Sequence, residues 1–291
     1  MSRIAVAIAL VSACTSSKTQ PTPGPPTAPT MTVPRVHVMD GVTWPDFDQG
    51  YCRGSMVPEQ DPVFPTIKRS RFQIDPATDL VTIPADWMKE AKETRVPQLE
   101  RAAAERLPRL LGKAVELVGR GFDHHDFDYF FYLCPYFGGG TASAKVYPMF
   151  QYLRAAVGDL QWPDWLFTDQ YLFHEVLHNY VIERIDYTKG TPILNAVYAA
   201  LAADTAFLAK GKAHGQGDDA FYIGTAMTHI HVYAIMTATL RALGEEERLQ
   251  TIRHYETGLP AAHPSYVKAW EYVIAIENDP AAMAAILAEV K

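Results

Sequence analysis

The spacing of apolar and polar positions changes character along the chain. Two short runs, Arg71-Phe72-Gln73-Ile74 and Leu80-Val81-Thr82-Ile83, are β-like and are separated by the turn signal Asp75-Pro76. A dense aromatic run, Tyr129-Phe130-Phe131-Tyr132-Leu133, predicts a buried strand over 128–135. Residues 143–152 predict a returning strand that Pro148 would confine to a sheet edge. Over 84–117 the spacing is helical, with Pro97 and Pro108 expected to divide it. Helical spacing then dominates. An apolar helix is expected up to Tyr187, with Thr168 or Asp169 as its N-cap, because Leu172, Phe173, Val176, Leu177, Val181 and Ile182 suit a buried face. Further helices are expected over 193–210, 220–243, 248–255 and 265–276, and Asp279-Pro280 starts a terminal one. Strands first and helices later predict an α+β class, mainly α-helical, with a small N-terminal β-sheet and a helical C-terminal half.

The ends of the chain add a different picture. Met1-Ser2-Arg3 is a short basic segment, and residues 4–11 form an apolar stretch too brief to span a bilayer as a helix. Val11-Ser12-Ala13-Cys14 resembles a bacterial lipobox, in which Cys14 is lipidated; an ordinary signal cut near Ala13 is the other reading. Either predicts export. Residues 15–34 are rich in Thr, Ser and Pro, a composition that cannot bury a core and predicts a disordered tether. The expected organisation is therefore a signal over 1–14, a tether over 15–34 and a single domain over 35–291. The membrane would be met only through the lipid anchor, in a bacterial cell envelope.

The net charge of −7 comes without a basic patch, which excludes a nucleic-acid surface. Cys52 and Cys134 are the cysteines left in the domain; after export they either form one disulfide or stay as two thiols. No CxxC spacing exists, so a thiolate metal site is not expected.

The candidate chemistry lies in His174-Glu175-Val176-Leu177-His178, an HExxH string. Residues four apart share a helix face, so His174 and His178 can reach one metal ion, with Glu175 beside them as general base. A catalytic zinc needs a third protein ligand and one open position. The run Thr228-His229-Ile230-His231-Val232-Tyr233 offers the best candidates, since buried imidazoles need partners. The two histidines stand about 200° apart around a helix, so only one is expected to bind. His229 is favoured; His231 is the alternate, because Gly224, Thr228, Ile235 and Ala238 share its face and would leave room for a substrate. A histidine there could also act as a hydrogen-bonding support. His124-His125-Asp126-Phe127-Asp128 reads as a solvated loop, and His214 as exposed. His254, Tyr180, Arg184, Tyr233 and Tyr255 are unranked candidates to stabilise an oxyanion.

Through His174, Glu175 and His178 the chain resembles the zincin-like metallopeptidase superfamily, and looks like a bacterial lipoprotein member of it. The metzincin pattern does not continue, because Val181 and Arg184 replace its Gly and last His. No ExxxD of a gluzincin stands out downstream, and Gly190-Thr191 is too slight for an aspzincin. The resemblance implies a Zn2+ cofactor and hydrolysis of peptide or protein substrates by activated water, with Glu175 passing the proton to the leaving amine. It also implies an edge strand at 145–152 that holds the peptide, and a rim loop at 138–143. The alternatives are a zinc-bearing scaffold without activity, and a hydrolase of a non-peptide amide in the envelope.

Overall fold

A helix whose histidines are buried must itself be packed on several sides, and the computed structural model supplies that packing from other helices. It describes residues 93–94, 96–121, 164–182, 184–187, 190–215, 217–258 and 262–291, together with the backbone of six short extended segments. Helix makes up 84% of the residues described with their side chains, and no strand or sheet belongs to that part. The expected α+β, zincin-like class with an N-terminal sheet is thus corrected to an all-helical body. A layered α+β fold needs sheet side chains packed against the helices. Every described core side chain comes instead from a helix or a helix-connecting turn.

The extended segments are defined by backbone alone. Of these, residues Val146–Arg154 pair with Asp128–Cys134 on one side and with Gly139–Ser143 on the other. The expected free edge at 145–152 is therefore corrected, since both of its sides are taken. The expected rim loop at 138–143 is corrected likewise, because Gly139–Ser143 is extended. The signal and tether (1–34), Cys14, Cys52 and the His124–His125 cluster lie outside the described residues, as do the side chains of Cys134 and its neighbours.

Helix α1, Val96–Val118, is continuous despite its two prolines. Pro97 sits in the first turn, where its missing N–H is not needed. Pro108 is held within the helix by the buried stripe Ala103, Leu107, Leu110, Leu111, Ala114 and Val118. The next helical segment begins at Asp164, earlier than expected. A π-helical run, Phe167–Phe173, leads into helix α2, His174–Ile182. Thr168 and Asp169 are consequently inside the helix and are not caps. Thr168 Oγ1 donates to the Asp164 carbonyl at 3.0 Å. Asp169 is fully buried and paired with Arg106 of α1, which also grips Glu245.

Helices α3 (Pro192–Ala203) and α4 (Thr205–His214) replace the single helix expected over 193–210. They bend by 72° at Asp204, whose carboxylate accepts from the Phe207 N–H at 3.0 Å and caps the second helix. The remaining helices match their sequence signals closely. They are α5 (Asp219–Ala242), α6 (Glu246–Thr257), α7 (Pro264–Ile276) and α8 (Pro280–Glu289). Asp218 and Asp279 cap α5 and α8 through their side chains. Among the described residues no single helix is long and apolar enough to cross a membrane, although the bent α3–α4 pair passes that test together. The core gathers around α5, whose Tyr222, Ile230, Tyr233 and Ile235 are inaccessible, with Tyr180 of α2 and Trp270 of α7.

Candidate metal centre

The junction between the π-helical run and α2 places His174 at the first α-helical position, and His178 follows one turn later. π-helical turns inside α-helices are frequent at functional sites. Here the run is anchored through the Asp169–Arg106 pair, which fixes the approach of the motif to the core. His229 arrives from the middle of α5.

The Nε2 atom of His178 lies 2.9 Å from that of His174 and 3.2 Å from that of His229. The ligating atoms of all three lie within 4.8 Å of one another. Nitrogens held about 2 Å from a tetrahedral zinc stand roughly 3.3 Å apart, so this spacing fits such an ion. The three side chains are 5–9% exposed. Burial, and the neighbouring rings, hold their pKa values well below the ordinary histidine range, which keeps the imidazoles neutral and able to ligate. His229 Nδ1 lies 2.7 Å from the Thr225 carbonyl; an N–H donated there leaves Nε2 bare and pointed at the cluster.

Glu175 is 6% exposed, and its carboxyl is pushed up to about 8, chiefly by burial and then by the charge of Glu256. Glu256 of α6 is pushed up to about 7 by burial. It accepts from the Trp270 indole at 2.5 Å and stands 3.8 Å from His174 Nδ1. Tyr233 packs its ring on His174 and His229, with centroids 5.6 and 5.4 Å apart, and stacks on Trp270 at 4.0 Å. Tyr266 of α7 lies 4.3 Å from the His229 ring, and its hydroxyl is raised by burial and by Glu175 and Glu256.

His231 is not part of this group. It faces the opposite side of α5, with Nε2 3.0 Å from Glu289 Oε2 and Nδ1 near Tyr187 Oη and the Met227 carbonyl, both at 3.2 Å. Room does exist on that side: a cavity of about 500 Å³ is lined by Gly224, Met227, Thr228, Tyr187 and others. None of the three clustered histidines lines it.

Of the oxyanion candidates, Tyr233 packs its ring against the cluster. Tyr180 donates to the Arg120 carbonyl, and Arg184 donates to the carbonyls of Tyr180 and Gly121, so both tie the end of α2 to the end of α1. Tyr255 packs on the hydrophobic core, and His254 is exposed. His214 is half-buried rather than exposed, with its ring 4.9 Å from that of His263. Sequence reasoning missed Glu256, Tyr266 and Trp270. A signal for the first was present, because Leu249, Ile252, Arg253 and Glu256 fall on one inward face of α6.

No family model, curated protein or solved structure matches the chain.

Proposed function

We propose that this chain is a metal-dependent hydrolase, with zinc the cation that suits its donors, and that peptides or proteins are its substrates. The observation that carries this reading is the convergence of His174, His178 and His229, with the carboxyl of Glu175 buried beside them. Three neutral imidazoles and no thiolate form the donor set of a catalytic zinc site, which leaves one position open. Bound there, zinc would polarise a carbonyl and make water nucleophilic near neutral pH.

The chain's own groups would do the rest. Glu175 takes the proton from water and hands it to the leaving amine. Its metal-free pKa of about 8 would be drawn down by a nearby cation, which leaves it able to carry a proton in either direction near neutrality. Tyr233, Tyr266 and Trp270 exclude bulk water from one side of the imidazoles, which strengthens electrostatic interactions within the site. Export and a lipid anchor at Cys14 belong to the same proposal and would place the activity in the cell envelope.

The experiment measures zinc content and cleavage of casein and a peptide library for the wild type and Glu175→Gln. Zinc retained with cleavage abolished is the expected result. Cleavage unchanged in the variant, or a wild type that takes up no metal, overturns the proposal.

A further inference from the structure

The hydrolase reading leaves Glu256 without a role, and its surroundings are unusual for a carboxylate. Its side chain is 8% exposed, and His174 Nδ1 stands 3.8 Å from its Oε1. The nearby arginine of the same helix, Arg253, is committed to Glu277. Trp270 donates its indole N–H to Glu256 Oε2 at 2.5 Å, and the buried Tyr233 hydroxyl lies near the same carboxylate without a hydrogen bond of its own. Trp270 is itself held in place, stacked on Tyr233 and covered by the Arg253 guanidinium 5.1 Å from its ring. Glu256 Oε1 is thereby held towards His174 Nδ1, a buried atom with no hydrogen bond of its own. A charged group in this setting is costly unless an opposite charge compensates it.

We propose that Glu256 is a positioning residue for the metal centre, orienting His174 from behind through Nδ1. The inference rests on the reading of His174, His178 and His229 as a metal centre. His229 has a hydrogen-bonded support of this kind in the Thr225 carbonyl at 2.7 Å, whereas Glu256 stands behind His174 at 3.8 Å.

The test compares wild type, Glu256→Gln, Glu256→Asp and Tyr233→Phe in three measurements. These are zinc affinity by competition with a chromophoric chelator, the visible absorption of the cobalt-loaded protein, and thermal stability of the metal-free protein. Glu256→Gln keeps the shape and the acceptor for Trp270 but loses the charge. It is expected to bind zinc about 10–100-fold more weakly, with an altered cobalt spectrum and metal-free stability close to wild type. Glu256→Asp should recover part of the affinity. Tyr233→Phe, which keeps the ring, should cost several-fold and provides a second route should Glu256→Gln fail to fold. Wild-type affinity in Glu256→Gln overturns the inference. So does a drop in metal-free stability with zinc affinity of the folded protein unchanged, which would mark Glu256 as a strut between α6 and α7. A wild type that binds no zinc overturns the hydrolase reading itself, an outcome distinct from either.

Discussion

His229 and His231 lie two residues apart on one helix and are almost equally buried, at 5% and 2% exposure, yet they belong to different machines. His229 turns Nε2 towards two imidazoles and has only a carbonyl behind it, so it is prepared to ligate. His231 turns both ring nitrogens to oxygen partners, Glu289 Oε2 and the Met227 carbonyl, so it is already satisfied. Its role is to bind the last helix to α5, and Glu289 extends the tie to Thr191 at the start of α3. Burial of a histidine therefore says little about its function. What stands at the second nitrogen says much more.

The sharpest way to break the comparison is to truncate each histidine. His229→Ala should weaken zinc binding by more than about a hundredfold, beyond what loss of a supporting residue costs. His231→Ala should leave zinc affinity of the folded protein unchanged. Equal losses in the two variants, read by chelator competition, would erase the distinction.

The next effect concerns pH in the metal-free protein. The folded-state pKa of Glu175, about 8, stands above its ordinary value of 4.5. Its contribution to stability is therefore fully present below pH 4.5 and is lost as pH rises through 8. Metal-free Glu175→Gln should accordingly match wild type at the acid end of this window and melt progressively higher than wild type as pH approaches 8. Parallel melting curves across the window would contradict the burial of this carboxyl. The three histidines have the opposite sign. Their lowered pKa values give stability that is present above the ordinary histidine range and lost as pH falls towards the folded-state values.

A smaller effect is expected on the other face. His231→Ala leaves the Glu289 carboxylate buried without its imidazole, at a cost of about 1–3 kcal/mol in thermal or urea denaturation. The smallest is Thr191→Ala, which removes the N-cap of α3 and one partner of Glu289 for roughly 1 kcal/mol, with zinc binding untouched.

Much of this was legible in the chain. The C-terminal helices appear where apolar spacing and Asp or Pro start signals place them. His174, His178 and His229 were named from the chain as a candidate metal set with His231 as the alternate, and the structure brings the first three together. Other features were hidden for identifiable reasons. Asp204 ends one helix and caps the next, a double use that an Ala- and Leu-rich pattern masks. Thr168 and Asp169 look like caps by residue type, but the half-buried Arg106 holds Asp169 inside a π-helical turn. The β-like runs upstream predicted a sheet in the fold class, whereas all the described core packing is between helices. Glu256 was passed over for its neighbours His254 and Tyr255, although its position on the inward face of α6 was visible from Leu249 and Ile252.

The sequence by itself determined that His174 and His178 share a face with Glu175 beside them, because four residues make about one helical turn whatever surrounds it. It also determined that α5 carries two histidines on opposite sides. Only the tertiary structure decided which of them meets the motif and which carboxylate stands behind it. Those outcomes depend on how α5 and α6 are rotated against α2. That rotation is set by the packing of Tyr233, Trp270 and Arg253, side chains distant from the motif in the chain.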